Sequence, residues 1–160
     1  MSLERFREAQ NAPNNGFAHA LDELRRGSKR GHWIWYVLPQ IDGLGSSPMS
    51  QHFALRGADE TIEYLRDPEL RSRYLAIVST VAEQLHATPG TPLRTLMGSE
   101  VDALKLVSSL TLFRDVARTL HAREPDDDYA TLARVADDVL TRAEDEGYPP
   151  CAQTLRRLAR

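Results

Sequence analysis

One stretch of the sequence restricts the fold more than any other. From residue 99 to residue 120, apolar side chains recur every three or four positions, which places them on one face of a helix. The members of this stripe are Ala103, Leu106, Leu110, Phe113, Ala117 and Leu120. Ser99 precedes the stripe and is a residue type that caps helix N-termini. An apolar face of this length needs cover from other elements, so we predict a central helix near residues 99–120.

The same helical spacing occurs along most of the chain. A helix is expected to begin at Asp67-Pro68-Glu69, where a capping residue precedes a proline and an acid, and to end at Thr88-Pro89-Gly90. The chain has 160 residues, of which 41% are apolar, and this is enough to bury one core. We therefore predict an all-α or mainly α fold, a single compact domain over residues 1–160 with about seven helices.

Charge and composition exclude several classes of function. The 20 basic and 23 acidic residues give a net charge of −3, so no overall positive field exists to hold extended nucleic acid. We find no apolar run of membrane-spanning length and no apolar leader, and expect a cytoplasmic protein without membrane contact. The five histidines lack the helical spacing of zinc ligands. No metal and no cofactor are therefore expected.

Residues 27–40 differ from this helical scaffold. They hold both tryptophans of the chain, Trp33 and Trp35. Aromatic and β-branched residues favour a strand for residues 33–37, whereas Ser28 as a cap and Pro39 as a stop suit a short buried helix. We favour the helix.

The chemistry of this segment has two interpretations. As a pocket, the tryptophan faces would accept a flat ring, Gln40 would bind a polar edge, and backbone amides of the glycine-rich loop at residues 43–46 would hold a phosphate. Three neighbouring groups would bind anionic oxygens: Lys29, Arg30 and His32. Alternatively, both tryptophans are core residues and the cations are solvated. Composition alone favours this second interpretation.

A second polar group lies on the predicted central helix. Asp102, Lys105 and Ser109 are spaced three and four apart and share one face, and Ser108 and Thr111 share the adjoining face. The simpler interpretation is a capped helix start with an intrahelical ion pair between Asp102 and Lys105. The alternative is a buried pair retained for chemistry or for ligand orientation.

Several motifs resemble a bacterial family of unknown function, catalogued as DUF 1810. The matching strings lie within residues 4–10, 20–40, 43–47, 63–70 and 102–113, and the resemblance covers residues 4–135. It implies a mainly helical fold and no established activity. Members are sometimes labelled calpastatin-like, but calpain inhibitors of that kind are disordered repeat proteins, so we set this label aside.

A more distant resemblance concerns residues 48–53, Pro-Met-Ser-Gln-His-Phe. This string is similar to a turn that enters a helix in the NADAR family, ADP-ribose-associated domains that include N-glycosidases. The resemblance implies a small anionic, nucleotide-like ligand and transfers no catalytic position.

Two hypotheses of different classes follow. In the first, the chain binds or hydrolyses a nucleotide or ADP-ribose-like ligand. Asp102 would then be the carboxylate of an N-glycosidase-like acid–base reaction, Lys105 would keep it ionised, and His32 would protonate the leaving base. The ligand would be bound by Lys29, Arg30, Trp33, Trp35, Gln40, Ser108, Ser109 and Thr111.

In the second hypothesis, the chain is a non-enzymatic interaction or scaffold protein. Residues 32–40 are then core or a partner-binding anchor, with a homodimer among the expected assemblies.

Overall fold

The computed structural model describes residues 2–159. This part of the chain forms ten helices: α1 Glu4–Gln10, α2 Phe17–Arg25, α3 Ile34–Val37, α4 Pro48–His52, α5 Gly57–Arg66, α6 Pro68–Ala87, α7 Leu93–Leu96, α8 Glu100–Arg123, α9 Asp127–Asp145 and α10 Ala152–Leu158. Outside the helices, the described residues hold one isolated parallel bridge, between Ile41 and Leu55. The predicted all-α fold is confirmed.

Helix α8 is the central element, as its apolar stripe predicts. The Ser99 hydroxyl accepts a hydrogen bond from the Asp102 backbone N–H at 3.1 Å and caps the first turn. All six residues of the predicted stripe are buried. The helix packs against α5, α7, α9 and α10, and it ends at Arg123, slightly beyond the predicted range.

Helix α6 also begins where the sequence predicts. The Asp67 carboxylate accepts from the Leu70 backbone N–H at 3.0 Å, and Pro68 fills the first helical position. The prediction of about seven helices agrees with the seven helices that are at least seven residues long. No sequence prediction is made for helix α5, although its buried Thr61, Tyr64 and Leu65 have helical spacing.

The segment for which a helix and a strand compete is helical. Helix α3 spans only Ile34–Val37, and Pro39 follows it closely, as the helical interpretation expects. Its cap position is Trp33, so the prediction that Ser28 caps it is wrong. The reason is tertiary: residues 28–33 form a loop that lies along the end of α7, where the Lys29 backbone N–H donates to the Leu96 carbonyl at 2.7 Å.

Aromatic rings join the helices of the core. Tyr74 of α6 stacks on Phe113 of α8 with ring centroids 3.9 Å apart, and Tyr64 of α5 meets the same phenylalanine edge-on.

None of the helices within residues 2–159 combines the length and the apolarity needed to cross a bilayer.

Candidate functional site

The loop before α3 is organised around Trp33 and Glu23. Trp33 is completely buried, and its indole N–H donates to Glu23 Oε1 at 2.8 Å. The same oxygen accepts from the backbone N–H groups of Arg30 and Gly31 at 3.0 and 2.9 Å. Burial alone would raise the pKa of the Glu23 carboxyl, but these three hydrogen bonds and the nearby His19 lower it below its ordinary value. Trp33 is therefore a core residue with a satisfied N–H.

Lys29 connects this loop to the first turn of α8. Its ammonium lies 2.7 Å from Asp102 Oδ2 and donates to the Gly31 carbonyl at 2.5 Å. It also lies 5.0 Å from the centre of the Trp33 ring. The Lys29 side chain is 5% exposed and that of Asp102 is 19% exposed. The aromatic segment and the Asp102 face of α8, which the sequence leaves apart, are therefore in direct contact.

The expected ion pair between Asp102 and Lys105 is not among the ion pairs of residues 2–159. This expectation is corrected, because the loop at residues 28–33 crosses the start of α8 and brings Lys29 to the carboxylate. Lys105 instead lies with its ammonium 5.1 Å from the centre of the Trp35 ring. The geometry is that of a cation–π contact.

Trp35 also borders a cavity of about 130 Å³. The other walls come from residues 40–45 and from Ser50, Gln51, Phe53 and Ala54. The indole nitrogen of Trp35 is buried and has no hydrogen-bond partner within the described part of the chain. The predicted ligand residues Trp35 and Gln40 and the predicted glycine-rich loop thus line one cavity.

Close packing and an ion pair hold the walls of this cavity. Ser47 caps α4 by accepting from the Ser50 backbone N–H at 3.1 Å. A side chain at Gly45 would lie 2.7 Å from the Ser50 hydroxyl, so the loop packs closely on α4. At the rim, Asp42 forms an ion pair with Arg157 of α10.

The hydroxyl groups predicted on α8 have internal partners. Ser109 is fully buried and shares a hydrogen bond of 2.9 Å with the Tyr74 hydroxyl. Thr111 donates to the Val107 carbonyl at 2.7 Å, and Ser108 donates to the Leu104 carbonyl at 3.1 Å. None of the three is among the residues that line the Trp35 cavity.

Arg30 and His32 are exposed. Their backbone N–H groups are bound, that of His32 by the Asn15 side chain at 3.1 Å. Within residues 2–159, no hydrogen bond or ion pair links the His32 imidazole to Asp102. The structure therefore does not assemble the predicted catalytic group of Asp102, Lys105 and His32 through direct contacts.

Sequence reasoning missed two parts of the site. Arg157 lies far along the chain, and a basic helix end gives no signal of its partner Asp42. The sequence assigns Phe53 no role in the site, whereas the ring is buried beside the cavity. Its position after the short helix α4 is a signal that could have indicated an inward-facing ring.

Residues 1–129 match the family model described as "Protein of unknown function (DUF1810)". The chain belongs to the DUF1810 family. The matched region contains both tryptophans, both lysines and the start of α9, whereas Arg157 lies beyond it.

A solved structure supports the same relationship. The chain is similar to the conserved hypothetical protein Rv1873 from Mycobacterium tuberculosis, at 32% sequence identity and a TM-score of 0.75. The similarity covers 99% of this chain and 96% of the mycobacterial one. Among curated proteins, none matches the chain. The resemblance to DUF1810 predicted from the motifs is thus confirmed, and the resemblance to NADAR stays a prediction.

Proposed function

We propose that the chain binds a small anionic, nucleotide-like ligand whose planar ring enters the cavity beside Trp35. The observation that carries this proposal is Trp35, which lines the cavity and whose buried indole N–H has no acceptor within residues 2–159. A buried donor without an acceptor is unfavourable, and native proteins satisfy the great majority of them. In this proposal the indole shifts slightly towards the cavity, and an acceptor atom on a ligand ring then supplies the missing hydrogen bond.

The size and lining of the cavity support this type of ligand. A volume of about 130 Å³ is below the range of roughly 300–1,000 Å³ of pockets that enclose a whole drug-sized molecule. The cavity therefore suits one ring of a larger ligand. The aromatic sides of Trp35 and Phe53 and the amide of Gln40 provide both stacking and hydrogen bonding to such a ring.

The contacts of Asp102 favour binding over glycosidic hydrolysis. A carboxylate that stabilises an oxocarbenium-like transition state must face the sugar. Asp102 faces Lys29 at 2.7 Å and is not among the residues that line the cavity. Complete burial of Trp33 also disfavours the alternative in which this residue anchors a partner protein.

Titration of the purified chain with AMP, ADP-ribose and NAD tests the proposal, by calorimetry and by tryptophan fluorescence. We expect saturable binding of at least one of them, with a fluorescence change that Trp35→Phe removes although Trp33 remains. Gln40→Ala should weaken binding, whereas the matched change Gln153→Ala, at an exposed position of α10, should not.

Two results would contradict the proposal. One is the absence of heat and of fluorescence change with every probe in a folded sample. The other is binding that Trp35→Phe and Gln40→Ala leave unaltered. Release of a free base, lost in Asp102→Asn, would replace binding with hydrolysis as the function.

A further inference from the structure

The use of lysine in this chain is unusual. Only two of the 20 basic residues are lysines, Lys29 and Lys105, and the others are arginines. Both lysine ammonium groups lie against tryptophan rings, at 5.0 Å from the centre of Trp33 and 5.1 Å from the centre of Trp35. Both lysines therefore place the ammonium group against an indole of the aromatic segment.

Their remaining contacts differ. Lys29 is 5% exposed, and its charge is matched by Asp102. Lys105 forms no ion pair among residues 2–159. Asp102, three residues before Lys105 in α8, pairs with Lys29, and Asp42, which lines the cavity, pairs with Arg157. Lys105 is thus a cation beside the cavity wall whose charge no paired carboxylate balances.

We propose that Lys105 is the phosphate-binding residue of this site, so that the ligand is a nucleoside phosphate with its base in the Trp35 cavity and its phosphate on the Lys105 ammonium. This inference rests on the binding function proposed above. The cavity holds a ring and no more, so the remainder of the ligand must lie outside it. Lys105 does not itself line the cavity, and its ammonium lies 5.1 Å from the centre of the Trp35 ring that forms one wall. The flexible stem of lysine lets the ammonium move from that ring to a group attached to a bound base.

Lysine suits this role better than arginine would. Its ammonium is a compact charge on a flexible four-carbon stem. It can leave the indole face, where a cation–π contact at a partly exposed site is weak, and form a stronger charge-assisted hydrogen bond with a phosphate. The contact with Trp35 then keeps the ammonium next to the site in the unliganded chain.

A division of roles follows from this arrangement. Trp35 binds the neutral ring, so its loss should affect nucleosides and nucleotides alike. Lys105 binds the charge, so its loss should affect nucleotides only.

Calorimetric titration with adenosine and with AMP tests the division. The wild type should bind AMP more tightly than adenosine, and Lys105→Gln should lower the AMP affinity by about tenfold to a hundredfold, the range for hydrogen bonds to charged groups. Adenosine affinity should stay the same, which also shows that the variant is folded. Lys105→Arg should retain most of the preference for AMP.

Arg118→Gln is the matched control. It removes one positive charge from the same helix at a residue that is 54% exposed and pairs with Asp137 at 3.3 Å, so it should leave both affinities unchanged. The preference for AMP should also decrease as ionic strength rises, because salt screens the contact.

The possible failures are distinguishable. If the wild type binds neither adenosine nor AMP, the binding function itself is wrong. If it binds both and Lys105→Gln leaves their affinity ratio unchanged, the cavity is a binding site and the role of Lys105 is overturned. A loss of adenosine affinity equal to the loss of AMP affinity would also overturn it.

Discussion

Trp33 and Trp35 are two residues apart, each lies against a lysine ammonium, and they differ in almost every other respect. Trp33 is completely buried and its N–H is bound by Glu23. Trp35 is partly buried, borders a cavity, and has an N–H without a partner among residues 2–159. Trp33 is the cap position before α3, and Trp35 is the second residue of that helix. One short turn therefore directs one indole into the core and the other towards the loop cavity.

This comparison separates the structural use of Trp33 from the binding role that we propose for Trp35. At Trp33, the indole N–H and the neighbouring Lys29 ammonium both have internal partners, so substitutions there should lower stability. At Trp35, the indole N–H has no hydrogen-bond partner and Lys105 forms no ion pair within residues 2–159, so substitutions there should change ligand binding and leave stability nearly constant. The following predictions test this difference in order of decreasing effect.

The largest difference is expected between Trp33→Phe and Trp35→Phe. Trp33→Phe leaves the buried Glu23 carboxylate without one donor and opens space in the core, and should lower the free energy of unfolding by about 3–4 kcal/mol. Trp35→Phe removes a donor that has no acceptor, so the change should be within about 1 kcal/mol. Urea unfolding measures both, and equal losses would contradict the distinction.

The two lysines should differ next. Lys29→Met leaves the Asp102 carboxylate, which is 19% exposed, without its cationic partner. This change should lower the free energy of unfolding by about 3 kcal/mol. Lys105→Met removes a cation–π contact at the edge of the site and should cost about 1 kcal/mol or less. Thermal and urea unfolding of both variants measure this difference in stability. A Lys29→Met variant as stable as the wild type would show that the buried pair is not needed for the fold.

Two glycines with positive φ provide a third comparison. A Cβ at Gly98, which has φ of 84°, would lie 2.6 Å from the Lys29 carbonyl oxygen, so Gly98→Ala adds a backbone clash to conformational strain and should cost about 2–3 kcal/mol. At Gly43, with φ of 91°, the nearest atom is a side-chain nitrogen of Arg157 at 3.8 Å. Gly43→Ala should therefore lower the free energy of unfolding by the conformational strain alone, about 1 kcal/mol. Similar unfolding midpoints for the two variants would contradict the close approach at Gly98.

The smallest effect concerns pH. The folded-state pKa of Glu23 is lowered from its ordinary value of 4.5, so the ionised carboxylate stabilises the fold above that pH. This contribution disappears as the pH falls through the folded-state pKa. The difference in unfolding free energy between wild type and Glu23→Gln should thus favour the wild type near pH 7 and shrink towards pH 3.

Glu60, whose pKa is also lowered, is present in both proteins, so its contribution cancels in that difference. A wild-type advantage that stays constant between pH 7 and pH 3 would mean that the charge of Glu23 does not stabilise the loop.

Much of the site is visible in the sequence as residue types, and little of it as contacts. The tryptophan segment, Gln40 and the glycine-rich loop stand out because their composition differs from the surrounding amphipathic helices. The partner of Asp102 cannot be recognised from the sequence in this way, because helical spacing suggests Lys105, three residues away. Lys29 is distant along the chain and reaches the carboxylate only because its loop crosses the start of α8.

The sequence by itself determined that this chain is all-helical with α8 at its centre, because apolar periodicity and caps such as Ser99 and Asp67 act within a few residues of each other. Only the tertiary structure decided which indole N–H is satisfied, which lysine is paired, and which residues enclose the cavity. These properties depend on contacts between residues far apart in the chain, such as Asp42 with Arg157, and no local pattern encodes them.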